Sequence, residues 1–176
     1  MKQFIVILFL VLLSQYVNAQ EEKYPVQLNK HSFAVSILSP GFQYELKLAE
    51  KKSLAFLGSS GVYSYASSSN GFQVGFTPYL QSTYRRYYDR KKVNKELKHN
   101  SGNYYGAFVY YSDREWLAEN MTNNQTVGSG FTWGLQRNYK SNIYLGFSTQ
   151  LGVTYSEIYG IRGLINTEFR LGFLIK

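Results

Sequence analysis

The segment from 142 to 176 constrains the fold more than any other part of the chain. Apolar residues alternate with polar or small residues along two runs, 143–155 and 165–175. Successive side chains on a β-strand point to opposite faces, so each run predicts a strand with one apolar and one polar face. The second run continues almost to the last residue, which predicts that the chain ends in a strand.

Weaker alternation occurs throughout the rest of the chain. It predicts eight strands in all: 33–37, 42–48, 54–65, 72–88, 103–112, 130–139, 143–155 and 165–175. Turn-forming residues at 39–41 interrupt the first of these patterns, and the apolar positions then move from odd to even numbers. If 33–48 were one bent strand, the count would be seven. Pro78 cannot donate a backbone hydrogen bond, so we expect a bulge or a weak point there.

The composition favours an all-β protein. The chain has 17 tyrosines, 12 phenylalanines and 15 glycines, and its charged fraction is only 17%. Aromatic residues are enriched in strands, and glycine is typical of tight turns and close strand contacts. There is no cysteine, so disulfides contribute nothing to the stability of the fold.

The first nineteen residues have the pattern of a cleaved signal peptide. Lys2 supplies a positive charge, 4–13 form an apolar core, and 17–19 form a small-residue cleavage site. The apolar core is too short for a membrane-spanning helix, which needs roughly 20 residues. We therefore expect an exported protein whose residues 20–176 form one domain.

Two architectures fit the alternating strands. In a soluble sandwich or lipocalin-like barrel the apolar face is the core, whereas in a membrane barrel it contacts lipid. Here the polar face is mostly small or uncharged, with a few charges of both signs, which is typical of a narrow packed interior. Several tyrosines of the apolar face lie near strand ends, as in the aromatic girdles of membrane barrels: Tyr44, Tyr84, Tyr88, Tyr139 and Tyr155. We expect an all-β fold, a closed antiparallel up-and-down transmembrane β-barrel of about eight strands.

On this pattern the chain resembles the small eight-stranded outer-membrane β-barrel proteins of Gram-negative bacteria, of OmpA type. The most specific part is 168–176, which looks like the C-terminal strand read by the barrel assembly machinery, although Phe173 is followed by three further residues where the family ends in an aromatic. The resemblance implies insertion in the cell outer membrane, contact with outer-membrane lipid, a monomer, and both termini in the periplasm. That topology places 89–102 on the periplasmic side.

Charged residues on the polar faces are the first candidate site. We predict a paired structural network that fills the barrel interior and does not form a channel: Glu45, Lys47, Arg85, Glu168 and Arg170. An eight-stranded barrel has an interior just wide enough for side chains, which favours a plug of this kind.

A basic segment at 85–98 is the second candidate. Its cations could contact an anionic surface such as lipid phosphates, lipopolysaccharide or peptidoglycan, or could simply be solvated: Arg86, Arg90, Lys91, Lys92, Lys95 and Lys98. Apart from Tyr87 and Tyr88, no aromatic side chains are interleaved with these cations for base stacking, so we do not expect nucleic acid as a partner. The loop 113–127 is a further candidate contact surface.

Catalytic chemistry is poorly represented in the sequence. His31 precedes Ser32, but adjacent strand residues point to opposite faces and do not share a proton easily. His99 lies in the basic loop at 89–102, and no spacing typical of a metal site, phosphate loop or nucleophile elbow occurs. We predict no catalytic residue, cofactor or metal. A lipid-modifying barrel enzyme and a secreted lipocalin-like barrel that binds an apolar ligand remain the alternatives.

Overall fold

A computed structural model describes residues 26–67, 71–89, 97–113 and 125–175. Its strands are β1 (His31–Leu38), β2 (Gly41–Ala49), β3 (Lys52–Ser67), β4 (Gly71–Tyr88), β5 (Gly102–Ser112), β6 (Thr126–Asn138), β7 (Ile143–Ser156) and β8 (Gly160–Ile175). Each strand pairs antiparallel with the next, and β1 pairs with β8 to close the ring. The prediction of an all-β, closed up-and-down barrel is confirmed, with eight strands and not seven. The leader predicted at 1–19 lies outside the described residues.

The shift of apolar positions after β1 has two structural causes. Ser39 and Pro40 form a tight turn, in which Ser39 has a φ of 56°. In addition, the register between β1 and β8 shifts between Ser36 and Leu38, which marks a bulge or similar irregularity in β1. The turn therefore separates two strands, as the eight-strand count requires.

In the strands with clear alternation, the described side chains point inward and outward as predicted. Gln150 and Arg170 are buried, at 3% and 2% exposure, whereas Leu151 is 64% exposed on the outer surface. In β5, whose residues show no clear alternation, Tyr104 and Phe108 point inward and are buried, whereas Tyr105 is half exposed. Aromatic residues on both faces conceal the alternation of this strand.

Pro78 interrupts neither of the two hydrogen-bonded ladders that β4 forms with β3 and β5. The β3–β4 ladder runs through it without a register shift, and the β4–β5 ladder begins one residue later, at Tyr79. Pro78 thus lies just beyond the β5 pairing, where β4 has only one partner strand. The bulge expected at this position is absent.

The barrel wall has unequal height. We name the end where the described chain begins and finishes the terminal end, and the opposite end the loop end. At the loop end, β3 and β4 extend beyond their other neighbours as a two-stranded arm, 60–67 paired with 71–78. β8 also extends beyond β1 at this end, because among the described residues it pairs with β1 only at 171–175. The wall is therefore lowest at the short β1–β2 hairpin.

Residues before β1 close the terminal end. Val26 and Leu28 pack against Tyr87 and Tyr104 in a buried apolar cluster. Asn100 fastens this segment, since its backbone N donates to Gln27 O at 2.8 Å and its Oδ1 accepts from Asn29 N at 2.7 Å. The part of the chain that the structure describes contains no helix with the length and apolar character needed to cross a membrane.

Tyrosine rings inside the barrel fit over glycines. Tyr104 lies opposite Gly134 in the β5–β6 register, and a Cβ at Gly134 would lie 2.5 Å from Tyr104 Oη and 2.7 Å from the backbone oxygen of Phe147. Both distances are shorter than ordinary van der Waals contact. Gly134 therefore provides the space that a buried tyrosine needs.

We expect Gly134→Ala to destabilise the barrel by about 1–3 kcal/mol, because the added methyl group meets backbone as well as the ring. Gly163→Ala is the matched control, since a Cβ there has no heavy atom within 4 Å. The free energy of unfolding from urea titration of the refolded protein is the measurement. Equal stability of the two variants would contradict the packing described here.

Candidate functional site

A network of charged and amide side chains crosses the barrel interior. Glu45 from β2 and Arg85 from β4 are both buried, with Arg85 Nη1 3.8 Å from Glu45 Oε1. Glu45 also accepts hydrogen bonds from Ser53 Oγ at 2.6 Å and Tyr87 Oη at 2.8 Å, and from Gln136 Nε2 at 3.0 Å. Its charge is therefore stabilised by three hydrogen-bond donors and one nearby cation.

Gln43 is the meeting point of this network. Its side-chain oxygen accepts from Arg85 Nη2 at 3.0 Å, Arg170 Nη1 at 2.8 Å and Tyr144 Oη at 3.0 Å. Gln43 Nε2 donates to Gln136 Oε1 at 3.0 Å. Gln136 Oε1 also accepts from Arg85 Nη1 at 2.9 Å. One neutral amide thus connects both buried guanidinium groups.

Glu168 and Arg170 form the second pair of charges. Arg170 Nε lies 3.7 Å from Glu168 Oε2, a charge contact that is too long for a hydrogen bond. Glu168 Oε1 accepts from Tyr79 Oη at 2.6 Å. Within this network two carboxylates therefore balance two guanidiniums.

Tyrosine rings form the walls around these charges. The Arg85 guanidinium carbon lies 4.5 Å from the centre of the Tyr104 ring, and Tyr87 and Tyr104 pack with ring centres 5.5 Å apart. Tyr144 lies fully buried beside Arg170's partner Gln43. A guanidinium over an aromatic face gains a cation–π contribution that increases when water is excluded.

Four of the five charges predicted for the interior come together in this way. Lys47 does not join them: it is half buried near the terminal end, and its backbone N donates to Lys30 O. The position two residues beyond Glu45 lies close enough to the end of the barrel for a long side chain to reach water. At this level the network spans the barrel interior, and its four formal charges cancel.

Sequence reasoning missed the uncharged members of the network, Gln43, Gln136, Tyr79, Tyr87 and Tyr144. Gln43 is two residues from Glu45, and Tyr87 is two residues from Arg85, so each shares the inward face of a predicted charge. That shared parity was the available signal. It could not identify which of them contact each other across the barrel.

The remaining candidate residues lie apart from this network. His31 Nδ1 is 2.6 Å from Tyr44 Oη, and Ser32 is not part of that contact. His99 Nε2 is 2.7 Å from Gln27 Oε1. Over the described ranges, no group of three or more His, Cys, Asp or Glu side chains could hold a metal ion.

Only part of the basic segment is described. Arg86 is exposed on the outer face of β4, and Lys98 Nζ donates to Asn142 Oδ1 at 2.6 Å near the terminal end. Arg90, Lys91, Lys92 and Lys95 lie outside the described residues, as does most of the loop predicted as a contact surface, at 114–124.

Comparison with known proteins adds no relative. No protein-family model, no curated protein and no solved structure matches the chain.

We expect Arg170→Gln to destabilise the protein by about 3–5 kcal/mol, because it leaves the buried Glu168 carboxylate without its cation. Lys140→Gln removes the same charge from an exposed turn and should change the free energy of unfolding by less than about 0.5 kcal/mol. Urea unfolding of both variants gives the comparison. An unchanged midpoint for Arg170→Gln would mean that the pair does not stabilise the fold.

We expect Glu45 and Arg85 to be energetically coupled. Substituting either one by glutamine leaves the other charge buried and unpaired, whereas the double substitution removes both charges together. The double variant should therefore be more stable than the sum of the single changes predicts, by about 1–3 kcal/mol in a double-mutant cycle. Strict additivity would show that their contact contributes little.

Proposed function

We propose that the chain is an integral outer-membrane β-barrel protein of OmpA type, with a structural or surface-interaction role and no enzymatic activity. In this proposal the outer face of the strands contacts lipid. The interior is a packed plug, and the two ends of the barrel meet the aqueous compartments. The protein acts as a monomer, and its last strand is the element that the barrel assembly machinery reads.

The single observation that carries the proposal is the apolar outer surface. Phe131, Leu151 and Ile165 lie side by side across β6, β7 and β8, and their exposures are 77%, 64% and 82%. The other strands continue this band with further exposed large apolar side chains, among them Val35, Phe42, Phe56, Leu80 and Val109. Monomeric soluble proteins rarely expose a contiguous apolar patch of such extent. A lipid environment removes the free-energy cost of exposing these apolar side chains to water.

Aromatic residues border this band towards the terminal end. Trp133 and Tyr88 are both partly exposed on the outer face, and Trp133 Nε1 donates to Tyr88 Oη at 3.0 Å. Tyr84 and Tyr105 lie beside them on β4 and β5. Amphipathic rings prefer the boundary between hydrocarbon and water, which supports a membrane interface at this level.

The two alternatives receive less support. A lipocalin-like protein needs an apolar interior for its ligand, whereas the interior described here contains four charges and several amides. A lipid-modifying enzyme needs an activated nucleophile or a general base, and His31 contacts a tyrosine on the outer face instead of a serine. Neither alternative accounts for the exposed apolar band.

Fractionation tests the proposal directly. We expect the protein to remain in the outer-membrane fraction after carbonate washing. We also expect the unheated protein to migrate faster on a denaturing gel than the heated protein, because closed barrels resist detergent. Recovery of the chain in the soluble periplasmic or secreted fraction would overturn the membrane location. Unchanged lipid A in cells that lack the protein is the expected result for a non-enzymatic barrel, and altered lipid A would favour the enzyme.

A charge on the lipid-facing surface should destabilise the barrel more strongly the deeper it lies in the bilayer. We expect Leu151→Arg to destabilise the barrel by about 2–4 kcal/mol in phospholipid vesicles, as for arginine near the bilayer midplane. Ile161→Arg is the matched control near the loop end of β8, where the cost should fall to about 0–1 kcal/mol. The measurement is urea unfolding in vesicles. Similar small effects at both positions are expected of a water-exposed surface and would count against the proposal.

A further inference from the structure

Two unpaired cations lie directly opposite each other on the outer face. Lys52 of β3 is in register with Arg86 of β4, and both side chains are exposed. Directly opposed residues on one face have Cβ atoms roughly 4.5–5.5 Å apart, at which like charges destabilise a sheet. Within the described residues neither side chain forms an ion pair, and Asp89 pairs with Lys51 at 2.7 Å. Glu50 is the other acidic residue nearby, and it forms no ion pair with either cation.

The position of this pair on the barrel indicates its ligand. The same outward row continues from Arg86 to Tyr105 and Trp133, which are in register across β5 and β6. The next row towards the loop end contains Leu54, Tyr84 and Phe131, where the apolar band begins. The cations therefore lie at the boundary between the apolar band and the terminal end, in line with two aromatic side chains.

The terminal end as a whole is strongly basic. Its described cations are Lys30, Lys47, Lys51, Lys52, Arg86, Lys98, Arg137 and Lys140, and its described acids are only Glu50 and Asp89. The described charges of the loop end are Asp113, Glu157 and Arg162. Among the described residues the excess of positive charge therefore lies at the terminal end, which favours an anionic partner there.

The geometry points to a binding site in which Lys52 and Arg86 together hold the phosphate of an anionic membrane lipid, with Tyr105 and Trp133 against its glycerol and upper acyl region. A phosphate between the two cations converts their repulsion into two charge-assisted hydrogen bonds. This inference rests on the proposed membrane location, since a lipid headgroup reaches this row only if the apolar band is in the bilayer.

Quenching of Trp133 tests the site. The chain has two tryptophans, so Trp116→Phe leaves Trp133 as the only reporter, about 10 Å along the row from Arg86. The barrel is placed in vesicles of phosphatidylcholine mixed with either brominated phosphatidylglycerol or brominated phosphatidylcholine. The ratio of quenching gives the relative affinity of the two headgroups at this position.

We expect the wild-type protein to prefer phosphatidylglycerol at this row of residues. The double variant Lys52→Gln/Arg86→Gln should lose the preference. Each cation near an anionic surface contributes roughly fivefold in affinity, so the double variant should lose up to roughly 25-fold. Lys140→Gln with Arg162→Gln is the matched control, since it removes the same net charge away from the row. Heat-dependent gel mobility verifies that each variant is folded.

Three results would overturn the site. These are an unchanged preference in the Lys52/Arg86 variant, an equal loss in the control, or a preference abolished by soluble glycerol phosphate in the buffer. If the proposed membrane location is wrong, the result is different, because neither brominated lipid then quenches Trp133. Equal quenching by both lipids leaves the barrel in the membrane and removes only the headgroup site.

Discussion

The fold depends on a neutral set of charges enclosed by the closed ring of strands. Arg85 and Arg170 approach the same amide oxygen of Gln43, and each has a carboxylate within 4 Å. Burying an unpaired ion costs several kcal/mol, so each of these groups requires the others to be in place. The network joins β2, β4, β6 and β8, and it can form only when the ring is closed. Closure and charge pairing are thus one cooperative event.

This interior explains why the apolar residues are outside. An eight-stranded ring leaves room for one layer of inward side chains, and here that room is filled by polar groups and tyrosines. The large aliphatic residues on the same strands must then face outward, because their positions have the opposite parity. The molecule has polar contacts within and large apolar side chains on its outer face, the reverse of the arrangement in a soluble barrel.

The asymmetry between the two ends follows from different causes. The terminal end is closed by apolar packing of Val26 and Leu28 against two inward tyrosines, and cations surround it. The loop end consists of strands that continue past their neighbours, as in the arm of β3 and β4. A uniform barrel height is not needed there, since strand edges in water are satisfied by solvent.

The amino-acid sequence was enough to predict the number of strands and, where the alternation is clear, their inward and outward faces, because a period of two fixes which side chains share a face. It placed Glu45, Arg85, Glu168 and Arg170 correctly inside. It also placed Lys47 there, because parity does not show where a strand leaves the barrel. The predicted starts of β6 and β8 are several residues too late, because glycines and small residues hide the alternation at the start of both strands. The hydrogen bond between Gln43 and Gln136, 93 residues apart in sequence, is evident only in the folded barrel, where it crosses the interior. Such contacts depend on the stagger of all eight strands around the ring, and no local pattern encodes a distance that is set by closure.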